Sequence, residues 1–139
     1  MMKLKYLLFL PFAALIAAGC SKASTDKNNY PVASGNFTGK FVRLRKNAAG
    51  TGYDSTKATL TLSLNLTTGF TVTGDTTQHA GSLGNFAVDA NYYYFDDSTK
   101  PSSKTHLKGY YLYAYDGTTL QLQQTYADTL GYFYLLKKN

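Results

Sequence analysis

The residues able to do chemistry in this chain are few. Cys20 is the single thiol, His79 and His106 are the two imidazoles, and all eight acidic residues are Asp. The histidines stand far apart with no Cys near them, so no zinc-ligand spacing exists, and no metal or cofactor is expected. Asp96-Asp97, followed by Ser98 and Thr99, offers oxygens to a calcium ion, yet the repeated Asp ladder of a calcium loop is missing. Serine, histidine and aspartate are all available for a nucleophilic triad. No elbow presents the serine, however, because Gly81-Ser82-Leu83-Gly84 lacks the Gly-x-Ser-x-Gly spacing. Paired carboxylates for glycoside hydrolysis would have to be two Asp, and no motif places them. The sequence therefore assigns no catalytic residue, and a role without catalysis is expected. His79 reads as a loop residue and His106 as a strand start, both at the surface.

Aromatic rings are the second chemical resource. The chain has 13 Tyr and 8 Phe but no Trp, and the tyrosines crowd its second half. On an extended segment over 107–115, alternation puts Tyr111, Tyr113 and Tyr115 on one face with Leu107. Across Asp116-Gly117, the next segment adds Leu120 and Leu122. These five residues, Tyr111, Tyr113, Tyr115, Leu120 and Leu122, form the candidate ligand-binding wall. Plain cross-strand packing of the same rings is the competing reading.

Cys20 has a context of its own. Lys3 and Lys5 precede an uncharged apolar run from Leu7 to Ala18, and small residues close the segment. This is the layout of a secretory signal, and the run is shorter than the roughly 20 residues a spanning helix needs. Ala17-Ala18-Gly19-Cys20 looks like a bacterial lipobox, with Ala17 in place of the usual Leu. Residues 1–19 are expected to be a lipoprotein signal peptide, cleaved before Cys20, whose thiol takes the lipid. Acyl chains contribute about 0.8 kcal/mol per buried CH₂, so two or three of them hold firmly to a membrane. Residues 20–34, rich in Ser, Thr, Asn and Lys, read as a lipidated, flexible tether. Ser21 after the Cys points to the outer membrane of the cell envelope, with the periplasmic and surface faces both open. A net charge of +6, scattered along the chain, argues against a nucleic-acid partner.

The rest, 35–139, is expected to be one all-β domain. In Ala58-Thr59-Leu60-Thr61-Leu62-Ser63-Leu64-Asn65-Leu66, four Leu face one side and polar residues the other, the pattern of a strand with one wet face. Thr67-Thr68-Gly69 turns into Phe70-Thr71-Val72-Thr73. Asp89-Ala90-Asn91 and Asp116-Gly117 mark further turns. About eight strands follow one another, and no window carries a helical stripe. A single antiparallel up-and-down β-barrel is the expected architecture, because closure leaves no open edge. A two-sheet sandwich is the alternative, since alternation looks the same in both.

With these motifs in hand, residues 17–139 resemble small lipoproteins of Bacteroidota with a lipocalin-like (calycin-type) β-barrel domain. The resemblance rests on Gly35-Asn36-Phe37, the hairpin at 68–75, the Asp116-Gly117 turn before Thr118-Thr119-Leu120-Gln121-Leu122, and the closing Tyr132-Phe133-Tyr134-Leu135-Leu136-Lys137-Lys138. Lipocalins open with Gly-x-Trp, and here Phe37 holds that place. The resemblance implies a barrel and lends no substrate. The expected function is that of a non-catalytic, membrane-anchored envelope protein that binds a small apolar or amphiphilic ligand in its barrel. The alternative is a structural or interaction subunit, or an inhibitor, of the cell envelope with a filled barrel and a protein partner.

Overall fold

A computed structural model describes residues 30–139. The signal segment, Cys20 and most of the tether lie outside the described residues. Alternation along the chain resolves into eight strands: β1 (Gly35–Lys46), β2 (Tyr53–Asn65), β3 (Gly69–Gly74), β4 (Leu83–Val88), β5 (Tyr92–Asp97), β6 (Gly109–Tyr115), β7 (Thr119–Tyr126) and β8 (Leu130–Lys138). Every sequential pair is antiparallel. β1 also pairs with β8, from Phe37↔Lys138 to Arg45↔Leu130, and closes the barrel in the order β1 to β8. That last pairing decides between barrel and sandwich.

The faces sort as the alternation requires. Leu60, Leu62 and Leu64 are buried inside, while Thr59, Thr61 and Ser63 lie on the outer side of the same strand. Leu66 departs from the expected set and is 70% exposed. β2 stops at Asn65, whose side-chain oxygen accepts from the amides of Thr67 and Thr68 at 2.8 and 3.0 Å. An Asn that satisfies turn amides ends the strand one residue before the hydrophobic pattern does.

Inside, rings from both halves of the barrel meet. Phe37, Phe41, Tyr93, Phe95 and Tyr111 are fully buried among Leu60, Leu62, Leu64, Leu107, Leu120, Leu122 and Leu136. Each such side chain contributes on the order of 1.5–3 kcal/mol on burial. The two ends of the barrel differ. At one end the chain enters β1, and Ala33 is fully buried there with its amide donating to the Tyr93 hydroxyl at 2.8 Å. At the other end two long connections, 75–82 and 98–108, are fastened together. Ala80 donates to the Thr105 carbonyl at 2.7 Å, Leu107 donates to the Ser82 hydroxyl at 3.1 Å, and His79 forms a bridge with Thr105. Those loops drop His79 and Leu107 into the lumen and cap it.

Candidate functional site

The tyrosine wall points inward. Tyr111, Leu120 and Leu122 are buried, and Tyr113 and Tyr115 are half-buried nearer the rim. Their rings are met by other rings: Tyr111 by Phe95 at 5.8 Å and Tyr134 at 5.7 Å, Tyr113 by Tyr93 at 4.8 Å, and Tyr115 by Phe37 at 5.9 Å. All four pairs are edge-to-face, with interplanar angles between 76° and 89°. Edge-to-face pairs of this kind add about 0.5–1.5 kcal/mol beyond area burial. Tyr113 donates to the Asp89 carbonyl at 3.0 Å and Tyr115 to the Gly117 carbonyl at 2.7 Å. Among the described residues the Tyr111 hydroxyl, on the Tyr134 side, reaches no partner at hydrogen-bonding geometry. Burial pushes the Tyr111 and Tyr134 phenols well above their ordinary values.

His79 is not at the surface. It is fully buried against Phe41, with ring centroids 4.8 Å apart. Its Nδ1 lies 2.6 Å from the Ala80 carbonyl, which can only accept, so the proton sits on Nδ1. Nε2 then accepts from the Tyr134 hydroxyl at 2.8 Å. Burial lowers the imidazole to about 4 against the raising effect of the Ala80 carbonyl, and the ring stays neutral. The expectation of a surface loop failed because the 75–82 connection folds over the barrel mouth, where an apolar well needs a plug.

The outer wall carries a concavity. A groove of about 400 Å³ runs over β1, β6, β7 and β8. Its floor is Val42, Leu112, Ala114, Phe133 and Leu135, all of outward parity, and Lys40, Gln121 and Gln123 edge it. Leu112 and Leu135 are about half exposed, at 50% and 52%. Beside it Tyr94 and Tyr110 pair at 4.6 Å, also facing solvent.

The third arrangement lies in the cap. Asp97 ends β5, and its Oδ2 is 2.7 Å from Nδ1 of His106. Nε2 of the same ring is 2.9 Å from the Ser102 hydroxyl. The Thr99 hydroxyl and amide donate to the other carboxylate oxygen at 2.6 and 3.1 Å. Asp97 is nearly enclosed, with its side chain 3% exposed, His106 is 14% exposed and Ser102 is open to solvent. Burial alone would raise the carboxyl, but the Thr99 donors and His106 outweigh it and hold Asp97 below the usual range. His106 is thus no free surface residue either. Asp96, the other half of the supposed calcium pair, points to the opposite face of β5.

No family model, curated protein or solved structure matched this chain.

Sequence reasoning missed the Asp97, Ser102 and His106 cluster because it sought a serine on a strand-to-helix elbow. A signal was present: all three residue types fall within one ten-residue stretch, Asp97 to His106. Such a stretch can only be a loop, since Pro101 and a run of Ser and Lys interrupt any strand.

Proposed function

We propose that this chain is a lipid-anchored protein of the cell envelope, held to a membrane through Cys20, whose lipocalin-like barrel is a filled scaffold that docks an envelope protein on its outer wall. The observation that carries it is the contrast between the two faces of the same strands. Inward positions of β6, β7 and β8 are occupied by rings and leucines in mutual contact. Outward positions leave a hydrophobic groove edged by one lysine and two glutamines. An apolar floor with a polar rim is the anatomy of a protein–protein interface, and it suits a folded partner better than a lone small molecule. The apolar signal and the Cys at the end of Ala17-Ala18-Gly19-Cys20 support the anchor.

A second reading, a small apolar or amphiphilic ligand in the lumen, draws on the Tyr111 hydroxyl, a buried donor left without a partner. It requires the cap to open.

The test is a photo-crosslinking side chain at position 135 of the full-length protein in its native host. A discrete adduct, lost when Leu112→Arg is added while the melting temperature holds, is the expected result. No adduct, together with a small molecule that co-purifies and departs on Tyr111→Phe, would replace this reading with the second.

A further inference from the structure

We infer that Ser102 is an activated nucleophile, with His106 as its general base and Asp97 as the group that orients the base. The connectivity has the order such a relay needs. Asp97 Oδ2 accepts from Nδ1–H of His106 at 2.7 Å, which fixes the proton on Nδ1 and leaves Nε2 with a lone pair. That lone pair faces the Ser102 hydroxyl at 2.9 Å. The Lys104 amide donates to the Ser102 oxygen at 3.3 Å, so the hydroxyl's own proton is directed at Nε2. Exposure rises along the chain from the enclosed acid to the open alcohol, which places the orienting group behind and the reacting atom in front.

The positioning is also supported from outside the three residues. Thr99 grips the far oxygen of Asp97. Thr105, beside His106, accepts from Ala80 on the neighbouring loop, and Leu107 on its other side is anchored to Ser82. The imidazole is therefore held between two backbone fastenings. A loop staple has no need for this order. The Asp97–His106 contact alone would tie the loop to the end of β5, and a hydroxyl at the solvent end adds little to that.

The reaction this geometry supports is acyl transfer from a carboxylic ester. Ser102 Oγ bonds to the ester carbonyl carbon as its proton passes to Nε2 of His106. The negative charge gathers on the carbonyl oxygen of the tetrahedral intermediate. The carbon–alkoxide bond then breaks, and the departing alkoxide takes the proton from Nε2, leaving acyl-Ser102. Water repeats the sequence with the same base and releases a carboxylic acid, so ester and water become acid and alcohol with no other reactant. The outer-wall groove does not border Ser102, so the acyl group would be small and its carrier an exposed ester.

A fluorophosphonate probe tests the relay directly on the full-length protein. Oγ bonds to phosphorus, fluoride leaves, and His106 takes the hydroxyl proton. The expected result is one adduct, mapped by peptide mass to Ser102 and absent from heat-denatured protein. Ser102→Ala should abolish it, Ser103→Ala should leave it intact, and His106→Gln should slow it about 10²-fold, the usual contribution of a general base. Asp97→Asn should slow it as well, with the β-type circular dichroism unchanged. If a variant fails to fold, hydrolysis of p-nitrophenyl acetate by the native protein before and after labelling provides the second measurement, with loss of hydrolysis expected. Absence of an adduct, equal labelling of Ser102→Ala, or hydrolysis unaffected by labelling would overturn the inference.

Discussion

Buried imidazoles are held in one of two ways in this molecule, and the difference sets their behaviour. His79 contacts a carbonyl, a phenol and a ring, with no carboxylate touching it to balance a positive charge. Burial takes its pKa to about 4, with His106 lowering it further and Asp97 acting the other way. An unfolded histidine ionises near 6.5, so on acidification the unfolded chain takes up this proton before the folded one does. Stability contributed by neutral His79 is complete above that value and drains away as the pH falls toward about 4. The carboxylates held below their ordinary range, Asp116 at about 2 among them, lose theirs only at lower pH. Urea unfolding between pH 7 and 4.5 should therefore show a falling stability, on the order of 3 kcal/mol over the whole His79 window. His79→Gln should flatten that slope while lowering stability at pH 7. A slope unchanged by the substitution would mean that the imidazole is already charged in the fold.

Strands in a closed barrel must approach each other without relief at an edge, and glycine is used for that in two distinct ways. At Gly39, on the β1–β8 seam, a β-carbon would overlap the carbonyl oxygen of Leu135. At Gly117 there is open space, but φ is +95°, a conformation that side chains with a β-carbon resist. Asp116 in the same turn accepts from the amides of Thr118 and Thr119 at 2.8 and 2.6 Å, which fixes the β6–β7 hairpin. Gly117→Ala should cost about 1–2 kcal/mol through strain alone and leave the barrel closed. Gly39→Ala should cost more than overpacking usually does, about 1–3 kcal/mol, because the obstacle is backbone. Amide hydrogen exchange separates the two: faster exchange along β1 and β8 is expected for Gly39→Ala and no such change for Gly117→Ala. By contrast the β3–β4 seam is short, with two register pairs, Phe70↔Gly84 and Thr71↔Leu83, extended by the bond from Val72 to Ser82.

The barrel has an entry end, where residues 30–34 lead in, and a capped end. Connections 75–82 and 98–108 lie opposite the end where residues 30–34 enter β1. The entering segment is itself part of the fold. Tyr30 donates to the Val88 carbonyl at 2.9 Å, and Ala33 exchanges hydrogen bonds with the Tyr93 hydroxyl at 2.8 and 3.3 Å. Burial pushes the Tyr93 phenol up to about 12, so that clasp keeps its proton. A chain starting at Gly35 should be less stable than one starting at Tyr30 by roughly 2 kcal/mol, from the buried Ala33 and its lost bonds. Equal urea midpoints for the two would show that the segment rests on the barrel without closing it.

How much of this the sequence determined can be traced residue by residue. Alternation is local, so it revealed the strands, the apolar and polar faces of β2, and that Tyr111, Tyr113 and Tyr115 share one face. The fold decided that this face and Leu120 and Leu122 point inward. Turn residues such as Asp116-Gly117 did the same for the hairpins. Closure was expected on the general ground that it leaves no open edge. The pairing that makes it, Phe37 with Lys138, joins positions a hundred residues apart and leaves no mark on the pattern of either strand, so the sandwich stayed open until the fold was seen. The fate of the two histidines was hidden for a related reason. A loop's sequence tells that the chain turns, but whether its side chains meet water or a barrel mouth depends on where the other loop lies. Only the tertiary structure brought His79 under the cap and set Ser102, His106 and Asp97 in line, since hydrogen bonds between side chains depend on position in space and not on spacing along the chain.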